Sequence, residues 1–121
     1  MALTKVRSGG IDYANSTLVD TSNSGSVTLN FNNHTNFVLT FTGNVTLANP
    51  TTENVGQTGI IVCIQDGTGS RTLTLGTDFE TAGGLGVNLS TAASAVDVIP
   101  YIVKASNSIL LGKIQKAFSL C

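Results

Sequence analysis

Apolar and polar residues alternate along most of this chain in short runs, not at helical spacing. Val27, Leu29 and Phe31 alternate with Thr28 and Asn30, and Phe37, Leu39 and Phe41 alternate with Val38, Thr40 and Thr42. A period of two sends one set of side chains to each face of a strand. Asn32-Asn33-His34-Thr35 lies between the two runs and has turn composition, so residues 27–31 and 37–41 are expected to pair as a hairpin. Val45-Thr46-Leu47 adds a strand that ends at Asn49-Pro50-Thr51, because proline donates no ladder hydrogen bond. Residues 60–64 are apolar without a break, which suits a strand covered on both faces by an arm or a partner subunit. Asp66-Gly67-Thr68-Gly69-Ser70 predicts a tight turn, with residues 71–75 returning as an alternating strand. Residues 76–94 form a long Gly- and Ala-rich connection, a length that is uncommon unless it is functional or holds short elements of its own. Two further strands are predicted over residues 95–105 and 108–118, joined at Ser106-Asn107. Pro100 points to an edge or a bulge in the first of them. No segment sustains a period of 3.6. The pattern predicts an all-β fold, an antiparallel β-sandwich or jelly-roll-like domain of about eight short strands.

The first 24 residues differ in texture. They carry Ser8-Gly9-Gly10 and Asn15-Ser16-Thr17, poor formers of regular structure, with a sparse apolar group of Ile11, Tyr13, Leu18 and Val19. That group is too small for a core but too apolar for a free tail. Residues 1–24 are therefore expected to be an extended arm, ordered through these four side chains by contact with a neighbour or with the body of the domain. Residues 25–121 are the β-domain.

Composition narrows the function classes. A chain of 121 residues makes one domain. Charged residues are only 11%, while Thr, Ser and Asn make up about a third. Hydroxyls and amides are easier to desolvate than ions, which favours a permanent assembly. Net charge is -1, and the six basic residues are scattered, so no phosphate-binding stripe forms and no nucleic-acid partner is expected. No apolar run is long enough for a membrane helix, and the N-terminus lacks the apolar centre of a signal peptide, so synthesis and assembly in a cytosol are expected.

Candidate chemistry is sparse, and no catalytic residue, cofactor or metal site is expected. The lone histidine, His34, sits in the first turn without a second ligand at metal spacing. Gly67-Thr68-Gly69-Ser70-Arg71 lacks the Lys-Ser/Thr of a phosphate loop. Asp66, Asp78, Glu80 and Asp97 fit no calcium-loop spacing. Cys63 lies in the apolar run and Cys121 ends the chain, which is no disulfide framework. Asp97 interrupts an apolar strand and needs a partner if buried. Arg71 is the expected one, as a buried ion pair.

Four motifs occur in order: Phe41-Thr42-Gly43-Asn44-Val45-Thr46-Leu47-Ala48-Asn49-Pro50, Gly56-Gln57-Thr58-Gly59, residues 65–73 beginning Gln65-Asp66-Gly67-Thr68-Gly69, and residues 89–99 ending Val96-Asp97-Val98-Ile99. Together they resemble a β-rich module of tailed-bacteriophage virion proteins, found as small virion proteins and at the C-terminal end of tail-fibre-like chains. Where that family often carries aromatics, this chain has Leu75 and Leu85. The resemblance implies a structural, non-enzymatic protein of the virion. Two roles follow. One is a capsid decoration or cement protein, a homo-oligomer, taken as a trimer, bound to the major capsid protein through its arm. The other is a tail- or head-fibre module that reads a host-surface receptor or glycan through loops such as 50–57 and 76–94. A hydrolase would need two carboxylates about 5–9 Å apart, and Asp78 and Glu80 fall in a loop.

Overall fold

The structure is a computed structural model that describes residues 16–121. Seven strands are present among them: β1 (Thr17–Val27), β2 (Asn36–Leu47), β3 (Thr58–Gln65), β4 (Leu73–Leu75), β5 (Phe79–Glu80), β6 (Val96–Ala105) and β7 (Ser108–Leu111). The all-β expectation holds. The sandwich does not: the strands form one curled sheet in the order β1-β2-β3-β6-β7-β5, with β4 also on β2.

β2 organises the sheet. Its inward side chains, Phe37, Leu39, Phe41, Val45 and Leu47, are all buried. β1 runs parallel to it along its whole length, Leu18 opposite Phe37 and Val27 opposite Leu47. On its other edge β3 covers the first half, Phe37 opposite Ile61, and β4 the second half, Leu47 opposite Leu75, both parallel. Three passes of the chain therefore stack side by side in one direction. Only β6 runs against the others, pairing antiparallel with β3 on one side and with β7 on the other.

This stacking overturns the predicted hairpin of residues 27–31 with 37–41. The turn exists, closed by the Asn30 Oδ1 atom, which accepts from the Asn32 and Asn33 amides. The strand paired with β2 lies earlier, however, and Leu29 and Phe31 sit in the return connection with their side chains buried. Their alternation reflects burial, not pairing. The predicted boundary at residue 24 likewise falls inside β1. Leu18 packs partly buried against the core and Val19 is 65% exposed, while Ile11 and Tyr13 lie outside the described residues.

The second predicted hairpin, at residues 66–70, also fails to form. β4 pairs with β2 and not with β3. The side chain of Gln65 explains this. It is 3% exposed, accepts from the Arg71 amide at 3.0 Å, and donates to the Arg71 carbonyl at 2.9 Å. Residues 66–70 are thus a closed loop that bulges out between β3 and β4 while the chain continues along β2.

Pro100 is central, not at an edge, opposite Ile60 of β3. Its carbonyl accepts from the Gly112 amide at 2.8 Å, but its nitrogen has no proton to return. The β6–β7 ladder ends at Leu111 and resumes only at a bridge between Val98 and Gln115. The ladder break falls beside the residue that cannot donate.

The core closes over aromatic edges. Phe31 meets Phe37 at 5.2 Å and Tyr101 at 5.4 Å between ring centroids, both edge to face. The Tyr101 hydroxyl donates to the Thr35 carbonyl at 2.7 Å. Burial pushes the Cys63 thiol up to about 12, with the charge of Asp97 adding to the effect, so Cys63 is held as an inert thiol.

Gly59 lies where a Cβ would meet the Thr35 carbonyl and the Tyr101 ring. Gly59→Ala must push backbone aside, an overpacking cost of about 1–3 kcal/mol. Urea unfolding of the variant is expected to show that loss.

Candidate functional site

The longest connection, residues 76–94, is not structureless. It contains β5, which pairs parallel with β7, and a short 3-10 turn at Ala82–Gly84. Two buried side chains fasten the far end of this connection to the sheet. Gln65 donates to the Ser90 carbonyl at 3.0 Å. The carboxylate of Asp97, 1% exposed, accepts from the Ser90 amide at 2.6 Å and the Ser90 hydroxyl at 2.8 Å. The same carboxylate accepts from the Ala117 amide at 2.9 Å, tying the C-terminal segment to the same point.

Asp97 therefore has partners, but not the expected one. Arg71 instead turns back on Asp66, its Nη2 at 3.0 Å from Oδ2 and its Nε at 3.3 Å from Oδ1. Asp66 also accepts from the Thr68 and Gly69 amides. The Arg71 hydrogen bond, supported by these amides, holds the Asp66 carboxyl below its ordinary range despite some desolvation. The pair closes a five-residue loop, so local proximity outweighs the isolated charge on the strand. The available signal was the Asx-turn chemistry of Asp66-Gly67-Thr68-Gly69, which places amides at the aspartate.

Between β4, β5 and the tip of the connection lies a groove of about 690 Å³. Leu73, Leu75, Phe79, Leu85 and Val87 supply apolar wall, and Thr77, Glu80, Thr81 and Asn88 supply polar groups. Leu85 stands 86% exposed at the rim. Glu80 is positioned by β5: its carboxylate accepts from the Ser108 hydroxyl and lies 3.6 Å from the Lys104 ammonium. The Ser108 hydrogen bond, then Lys104, lower its pKa against the opposing effect of desolvation. The groove thus combines an ionised carboxylate, hydroxyl and amide groups and exposed leucine. Such a lining can accept hydrogen bonds from a polar ligand while packing on its apolar parts.

At the other predicted loop, 50–57, Asn54 donates to Asn32 at 3.1 Å and Gln57 donates to the His34 carbonyl at 2.9 Å. These bonds close the loop onto the first turn. His34 is half-buried in that turn, its ring edge-on to Phe37 at 6.1 Å. Among the described residues no group of three or more His, Cys, Asp or Glu side chains gathers as metal ligands.

The family model described as "Putative phage tail fibre C-terminal domain" matches residues 21–107, from within β1 to the turn after β6. The chain belongs to this phage tail fibre C-terminal domain family. The match includes the whole groove and its fastening at Gln65, Ser90 and Asp97. No curated protein and no solved structure matches the chain. Membership in a tail fibre family bears out the phage-module resemblance. It does not support the decoration role on the capsid, and it favours the fibre role.

Replacing Asp97 by Ala removes the acceptor of the half-buried Ser90 amide and of the amide of exposed Ala117, and the loss is expected at about 1 kcal/mol, near the net value of one hydrogen bond, because water can reach both donors. Faster hydrogen exchange at Ser90 and Ala117 together is the expected readout. For Glu80 the sign follows from its depressed pKa: its contribution is present above the ordinary carboxylate range and lost as pH falls through the lower folded value. Ser108→Ala should therefore raise the Glu80 titration midpoint toward the ordinary range, measured by carboxyl-carbon NMR.

Proposed function

We propose that this chain is a non-enzymatic structural module at the host-facing end of a bacteriophage tail fibre. It contacts a host-surface receptor or glycan through the groove of the 76–94 connection. The observation that carries this reading is the combination of Leu85 and Glu80 on one groove whose base is fastened to the sheet. A surface loop held this way presents its side chains already ordered, which reduces the entropy cost of binding. Family membership supports a fibre position, and the mixed lining supports recognition of a ligand with both hydroxyl and apolar surface. The mechanism is adhesion. Copies on a multivalent fibre would multiply a weak single contact.

The purified chain should bind cells of the phage's host and compete with virions for adsorption. Leu85→Asp, at an exposed position, and Asn88→Ala should each weaken that binding about tenfold or more, equivalent to about 1.4 kcal/mol, with the circular dichroism spectrum unchanged. Immunogold labelling of virions should mark the tail. Label confined to the head, or full competition by both variants, would contradict the reading.

A further inference from the structure

We propose that Asp66-Gly67 is a site of spontaneous backbone isomerisation to isoaspartate, and that the Arg71 guanidinium holds the reaction off in the folded chain. The inference does not depend on the receptor reading. Asp66 is the one Asp or Asn in the chain that is followed by glycine. The reaction starts when the next residue's amide nitrogen attacks the side-chain Cγ, and a glycine puts no Cβ in the way. A C–N bond forms, the carboxylic acid loses its hydroxyl as water together with the amide proton, and a succinimide ring results. Water then opens the ring at the Asp66 main-chain carbonyl carbon. The backbone now runs through Cγ, one methylene longer, and the former carbonyl has become a free carboxylate. One water leaves and one enters, and nothing is oxidised or reduced. The fold itself does not require this glycine. A Cβ at Gly67 would meet no atom within 4 Å, and its backbone lies outside the left-handed region.

What holds the Asp66 carboxylate also hinders the attack. Oδ2 accepts from Arg71 Nη2 at 3.0 Å, and Oδ1 accepts from Arg71 Nε at 3.3 Å and from the Thr68 and Gly69 amides, each at 3.1 Å. Attack at Cγ must turn the carboxyl plane and break these charge-assisted bonds. The clamp is sheltered, with the side chains of Arg71 and Asp66 26% and 21% exposed. It also favours the ionised form, and a carboxylate is a poorer electrophile than a carboxylic acid and has no hydroxyl to lose. The site bears on the rest of the molecule. The Asp66 carbonyl accepts from the Ser94 amide at 3.0 Å, and the Ser70 amide donates to the Thr91 carbonyl at 2.8 Å. A Cβ at Gly69 would strike that same Thr91 carbonyl. Residues 66–70 are thus packed backbone to backbone on the end of the long connection. Isomerisation removes the Asp66 carbonyl from this joint and lengthens the chain beside it.

Ageing of the full chain in warm neutral buffer tests this, with isoaspartate located by methyltransferase labelling and peptide mapping. Arg71→Ala should accumulate isoaspartate at residue 66 about fivefold faster than the wild type, the ratio expected for loss of a partly exposed ion pair. The bonds between Gln65 and the Arg71 main chain do not need the Arg71 side chain, so the circular dichroism spectrum should be unchanged. Arg71→Gln keeps length without charge, should also react faster, and carries the test if the alanine variant does not fold. Adding Gly67→Ala to either variant should return the rate to the wild-type level or below, which a merely loosened loop would not do. Hydrogen exchange at Ser94 should quicken in step with the label. Equal rates in the wild type and both variants, label that survives Gly67→Ala at full rate, or label at other residues in place of residue 66 would overturn the proposal.

Discussion

Both edges of β2 are filled in the parallel sense, and most of the fold follows from that. β1 takes one edge along its full length, and β3 and β4 share the other. Parallel pairing forces every pass to return before it can pair, so connections 28–35 and 48–57 must run back along the sheet from the C-terminal end of β2 to its N-terminal end. They run back with Leu29, Phe31 and Pro50 turned inward, and these side chains help close the core. Paired edges also leave β2 no exposed ladder, which removes the aggregation hazard of a long apolar strand.

Sharing one edge between β3 and β4 creates a second requirement. The chain must leave the sheet at Gln65 and rejoin it at Leu73 without losing direction. The Gln65 amide group does the work of a missing strand residue by bonding both the amide and the carbonyl of Arg71. The same side chain reaches Ser90, and Asp97 reaches Ser90 from β6. Structural closure of the excursion and anchoring of the long connection are therefore one hydrogen-bond network. That network fixes the far end of the connection at Ser90, while β5 and the Ser108 hydrogen bond position Glu80 on the groove wall.

Much of this was legible in the alternation. The core faces of β2 and β6, the apolar run of β3 and the turn at Ser106-Asn107 follow from period and turn chemistry. Strand direction was not legible. Leu29 and Phe31 alternate as a strand would, yet they serve a connection, because period reports which side chains are buried and not which backbone is paired. The partner of Asp97 was missed for a related reason. Charge complementarity picks Arg71, but Arg71 is five residues from Asp66 in a loop that brings amides and guanidinium to the same carboxylate. Asp97 is satisfied by Ser90 and by a backbone amide of the C-terminal segment, contacts that carry no charge signal in sequence.

The parallel coil around β2 is tested most directly by interstrand nuclear Overhauser effects in the labelled chain. Backbone contacts of Leu18 with Phe37, and of Leu73 with Val45, are predicted by the parallel register. Contacts that instead join residues 27–31 to residues 37–41 in antiparallel order would contradict the coil, and with it the anchoring that places the groove.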